Sequence, residues 1–95
     1  MEKCRFPNKL KMFRRSSGYS QKKVARMLGL RDTSTISRWE HGIALPGIVQ
    51  TFRLALIYHT EPHELFSELW HRIDEELILL VRDTESIIPN ESFLV

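Results

Sequence analysis

The chain has 95 residues, 42% hydrophobic and 27% charged, with four glycines, four prolines and one cysteine. That length bounds it to one domain with at most an extension, and the composition excludes collagen-like, low-complexity and disulfide-stapled chains. The net charge of +2 hides a division: residues 1–60 hold twelve Lys/Arg against three acids, a net +9, while residues 61–95 hold two against nine, a net −7.

A basic block suits a polyanionic partner, and an acidic block does not. With Cys4 alone, no intramolecular disulfide can form, which fits a reducing compartment. Residues 77–81 form an apolar run far too short to span a bilayer, and no signal-peptide core is visible. A cytoplasmic protein with no membrane partner is therefore expected.

The first helix should begin after Pro7, with Asn8 as its cap and Leu10 and Phe13 as an i, i+3 apolar pair, and end near residues 16–18. Ser20 then caps a second helix whose Val24, Ala25 and Leu28 face inward, and Gly29 suits the left-handed position that closes it. Asp32 is the expected cap of the third helix, with Ile36 and Trp39 buried and Gly42 as its stop. Pro46 and Gly47 mark a loop. A fourth helix is expected over residues 48–58, with Ile48, Phe52, Ala55 and Tyr58 as its inner face. The fifth should start with Pro62 in its first turn, where proline is tolerated, and Glu61 and Glu64 favour its positive end. Its apolar stripe is Leu65, Leu69, Ile73 and Leu77, widened by Phe66, Trp70 and Leu80, and it should continue to Arg82 or Asp83. Residues 84–95 break at Pro89 and carry no helical period. No internal repeat is present.

Two short amphipathic segments joined by a tight glycine-containing turn form a helix-turn-helix, whose second helix can enter the DNA major groove. The order of signals over residues 8–66 resembles the phage-repressor-like (XRE-type) helix-turn-helix family. The family's first-helix pattern Leu-x-x-Leu-Arg stands here as Leu10-Lys11-Met12-Phe13-Arg14. The turn Gly-Leu-Ser-Gln stands as Gly18-Tyr19-Ser20-Gln21, and Leu-Ala with Leu-Gly-Val as Val24-Ala25 and Leu28-Gly29-Leu30. The third-helix pattern is matched throughout by Thr35-Ile36-Ser37-Arg38-Trp39-Glu40-His41-Gly42. Pro46, Phe52, Leu54, Ala55 and Glu64-Leu65-Phe66 follow in the family's order. One departure is the turn over residues 31–34, a residue longer than the commonest form. It leaves Asp32, Thr33 and Ser34 as alternative caps of the third helix.

The resemblance implies an all-α, five-helix, lambda-repressor-like domain over residues 8–66. Residues 67–95 are then an acidic helical extension and tail. It also implies a recognition helix over residues 33–41 and double-stranded DNA as partner. The expected DNA-binding residues are Gln21, Lys22, Arg31, Thr33, Ser34, Ser37 and Arg38. Gln21, at a helix start, suits phosphate. Arg38 can fork onto guanine O6 and N7 or hold phosphate, and the two roles weigh about equally. Lys22, Lys23, Arg26, Arg31 and Arg53 are a pool of phosphate neutralisers, of which about half would stay solvated. Arg14 and Glu40 match a family pair that forms a structural salt bridge.

No nucleophile motif, glycine-rich phosphate loop or paired catalytic carboxylates stand out, so no enzyme and no cofactor are expected. His59 and His63 are four apart, but Pro62 lies between them, so no metal site is expected. Residues 77–81 are apolar on every side, and one small domain cannot cover them. Leu69, Ile73, Leu77 and Leu80 are the expected homodimer interface, which two DNA half-sites would also require. The alternative is an antitoxin whose acidic segment binds a small basic partner protein. A third alternative is a protein-interaction module that no longer binds DNA.

Overall fold

The computed structural model describes the backbone of residues 4–87 and the side chains of residues 4–84. Six helices follow one another: α1 (Leu10–Ser16), α2 (Gln21–Met27), α3 (Ser34–Glu40), α4 (Ile48–Ile57), α5 (Pro62–Leu65) and α6 (Ser67–Ile87). No strand occurs among the described residues, so the fold is all-α as expected. The expected end of the last helix, at Arg82 or Asp83, falls short of α6. The tail expected to break at Pro89 lies outside the described residues.

The local signals mostly hold. The Ser20 hydroxyl accepts the Lys23 amide at 3.0 Å and caps α2. Gly29 and Gly42 both take positive φ, which a residue without Cβ adopts without strain. Asn8 caps α1 from one position further out than expected. Helix geometry starts at Leu10, whose amide donates to Asn8 Oδ1 at 3.0 Å. At α3 the first amide partner is Asp32, whose Oδ1 accepts from Ser34 N at 2.9 Å, while Thr33 makes no side-chain cap bond. Of the three alternatives, Asp32 supplies the cap.

Leu10, Val24, Ala25, Ile36, Trp39, Leu54, Ala55, Tyr58 and Leu65 form the core. They come from α1 to α5 and from Tyr58 just past α4; no described side chain of α6 is buried. The buried core thus draws on no described side chain of α6.

Two expectations are corrected. The fifth helix is not continuous. Leu65 is fully buried, and its carbonyl accepts the Lys9 amide at 2.8 Å, while Phe66 leaves the helical region at φ −130°, ψ 46°. Holding Leu65 in the core and bonding it to the N-terminal segment goes with a broken ladder at Phe66, and α6 restarts at Ser67. On α4, Ile48 is 66% and Phe52 49% exposed instead of buried. The buried arc of α4 centres on Leu54, Ala55 and Tyr58. At 100° per residue Phe52 lies about 110° from that centre, and Ile48 sits in the first turn, beyond the core.

Candidate nucleic-acid interface

The α2–α3 unit is held from beneath by one ionic cluster. Arg14 on α1 meets Glu40 on α3 through two points, Nε to Oε2 at 2.6 Å and Nη2 to Oε1 at 3.1 Å. Arg14 Nη1 also donates to the Tyr19 carbonyl at 2.9 Å, in the turn that leads into α2. Gln21 Nε2 donates to Glu40 Oε1 at 3.0 Å. One carboxylate therefore ties α1, α2 and α3 together. The hydrogen bond to Glu40, set against partial desolvation, raises the Arg14 guanidinium above its ordinary value. Tyr58 lies in the same region; burial first, and the Glu40 carboxylate second, push its phenol up to about 12.

Above this base the two helices present their outer faces. The Gly29 turn is closed by Leu30 N to Ala25 O at 2.8 Å and Gly29 N to Arg26 O at 3.1 Å. On α3, Ser34, Ser37, Arg38 and His41 share an arc of about 100°, opposite the buried Ile36 and Trp39. Ser34, Arg38 and His41 are exposed and Ser37 is half-buried. Thr33, half-buried, precedes α3; Arg31 is exposed in the turn, and Lys22 is exposed in the first turn of α2. All seven expected residues therefore lie on the α2–α3 unit.

Three details go beyond the sequence expectation. First, the Gln21 amide braces α3 through Glu40, so one of its two N–H bonds is spent internally. Second, the Ser34 hydroxyl donates to Asp32 Oδ1 at 2.5 Å, leaving its oxygen outward as an acceptor only. These Ser34 bonds hold the Asp32 carboxyl below its ordinary value. Third, His41 joins the exposed arc, which sequence reasoning missed, although it stands four after Ser37. Its Nδ1 lies 2.7 Å from the Ser37 carbonyl oxygen, which can only accept, so Nδ1 is the donor in this contact. Apart from Asp32, the acid of this region is Glu40, whose side chain is 2% exposed and paired.

The four expected dimer residues lie on α6. Leu69 is half-buried at its base, and Ile73, Leu77 and Leu80 are exposed, all on one face. At the base a cleft of about 330 Å³ is walled by Ile48 and Phe52 from α4 and by Phe66, Trp70 and Ile73. His63 stacks obliquely on Trp70, with ring centres 4.9 Å apart. Among the described residues no helix is long and apolar enough to cross a membrane.

A helix-turn-helix family model matches residues 10–65, more than half of the chain. Comparison with curated proteins and with solved structures gives no match.

Proposed function

The chain belongs to the XRE-type helix-turn-helix family of DNA-binding regulators, and we propose that it is a sequence-specific regulator of transcription that lays α3 in the major groove of double-stranded DNA. The observation that carries this is the outward arc of Ser37, Arg38 and His41, on a helix locked from below by Arg14, Glu40 and Gln21. A reading helix must keep its orientation while its side chains face out, and a buried two-point bridge supplies that rigidity. Arg38 reads a base, with guanine as the partner its fork fits. Lys22 and Arg31 hold phosphate, and so does the second N–H of the Gln21 amide. Thr33, Ser34 and Ser37 are small enough to allow close approach, Ser34 as an acceptor. No catalytic step and no cofactor enter. A DNA-binding regulator of bacterial or phage type acts in the cytoplasm, and that is the compartment proposed.

Two copies act together, through Leu69, Ile73, Leu77 and Leu80 of α6. The support is that these residues form one apolar stripe on α6, half-buried at Leu69 and exposed at Ile73, Leu77 and Leu80. A pair of domains would set two recognition helices about 34 Å apart, one turn of DNA. A second function is favoured by one observation: Asp74, Glu76 and Asp83 flank the stripe against the single base Arg72, and Arg82 lies behind it. That pattern suits an antitoxin whose α6 binds a small basic protein. Selection of bound duplexes from a random DNA pool, with the oligomeric state measured on the same sample, tests both. A short enriched motif in two spaced copies supports the regulator. Co-purification of a small basic protein on α6 supports the antitoxin.

A further inference from the structure

We propose that residues 4–9, ahead of the family-matched region, form a phosphate contact beside α3, and that Arg5 makes it. The proposal rests on the DNA-binding function given above and adds a part that the helix-turn-helix itself does not contain.

The segment is fixed to the end of α3 by its backbone. Arg5 N and Phe6 N both donate to the Gly42 carbonyl, at 2.9 and 3.0 Å. Asn8 Nδ2 donates to the Trp39 carbonyl at 2.8 Å and to the Phe6 carbonyl at 2.9 Å. Phe6, Pro7 and Asn8 are half-buried, while Arg5 and Lys9 point their charges into solvent. The chain passes so close that a Cβ on Gly42 would stand 2.7 Å from the Phe6 oxygen. Carbonyls at a helix end have no partner within the helix. Here the strap adds a second donor to the Trp39 carbonyl, beside the Gly42 amide, and bonds the Gly42 carbonyl just past the helix, and so it moves with α3 as one body.

Its place decides its partner. Gly42 follows Arg38 by four residues and stands two past the last residue of α3, so the strap meets the chain just beyond the C-terminal end of that helix. A helix of seven residues is about 10 Å long, and the major groove is about 12 Å wide. When such a helix enters by its N-terminal residues, the segment beyond its C-terminus comes to the groove wall, where phosphates run. A guanidinium there matches phosphate in charge and shape. Among the described residues the acid at this end of α3, Glu40, is buried against Arg14 and does not compete.

The test uses the full chain and a mixed-sequence duplex of about 30 base pairs, with affinity measured across a range of salt. Arg5→Gln should reduce the slope of log affinity against log salt by about 0.9, the share of one phosphate contact. Arg5→Lys should keep the slope, and Arg72→Gln on α6 should leave it unchanged. Melting curves of all variants should coincide, since the bonds that anchor Arg5 are made by its backbone. A wild-type slope retained in Arg5→Gln overturns the proposal. A wild-type chain without salt-sensitive binding overturns the DNA-binding function beneath it, which is a different result.

Discussion

Arg14 and Glu40, 26 positions apart in sequence, meet at two points, 2.6 and 3.1 Å, with the Glu40 side chain 2% exposed. Glu40 also receives Gln21, so a single carboxylate fixes the angle between α2 and α3. Removing it leaves a guanidinium unpaired in a dry site. Glu40→Ala should cost about 3 kcal/mol of stability, and Arg14→Met with Glu40→Leu should recover part of that loss. Thermal or urea unfolding measures both. An unchanged melting temperature in Glu40→Ala would count against the bridge as the base of the unit.

Tyr58 gives the same region a signature at high pH. Its folded-state phenol titrates at about 12, against an ordinary 10, because it is buried and close to Glu40. The folded chain therefore keeps a proton that the unfolded chain has lost. The stability this supplies is complete below pH 10 and disappears as pH rises toward 12. Stability followed over that window should fall more steeply for the wild type than for Tyr58→Phe. Parallel curves would mean that the phenol is not held out of water.

The helix-turn-helix was legible because its signals are local. Ser20, Gly29 and Gly42 punctuate helices through their own backbone chemistry, and Val24, Ala25, Ile36 and Trp39 are buried as their spacing implied. What was not legible depends on distant partners. Leu65 and Phe66 read as helix interior, and the break there goes with the pairing of the Leu65 carbonyl with Lys9. On α4 the apolar residues surround much of the axis, so period alone could not separate buried Leu54 from exposed Ile48 and Phe52. The strap bonds Gly42 through the main-chain amides of Arg5 and Phe6, and neither residue type signals that contact. Gln21 was placed by its motif, but its bond to Glu40 required the fold.

Gly42 and Gly29 should respond differently to alanine. Both have positive φ, +71° and +72°, so both pay the left-handed penalty of about 1 kcal/mol. At Gly29 nothing lies within 4 Å of the new Cβ, and the loss should stop there. At Gly42 the Cβ would meet Cys4 Sγ at 2.5 Å and the Phe6 oxygen at 2.7 Å. The strap would have to move, and the total loss should be at least about 2 kcal/mol. Equal melting temperatures for the two variants would mean that the strap is not held against α3.

The apolar stripe of α6 has a direct assay. Leu77 and Leu80 are 53% and 63% exposed in the single chain. Sedimentation of the full chain at tens of micromolar should give a dimer, and Leu77→Glu with Leu80→Glu should give a monomer with an unchanged helix-turn-helix. Operator affinity should fall sharply in that variant, because two linked half-site contacts become one. A wild-type monomer, with no other protein present, would shift the weight to a basic partner for α6.

Arg38 bears most directly on the claim that α3 reads sequence. Its side chain is exposed on the outer arc of that helix, between Ser34 and His41. The decisive measurement is the affinity of the full wild-type chain and of Arg38→Ala for the duplex selected from a random pool, beside a scrambled duplex at the same salt. The wild type should prefer the selected duplex, and Arg38→Ala should lose about 1–3 kcal/mol on it and far less on the scrambled one. Equal losses on both would show that Arg38 only neutralises phosphate, and a wild type that binds both duplexes alike would contradict sequence-specific recognition by α3.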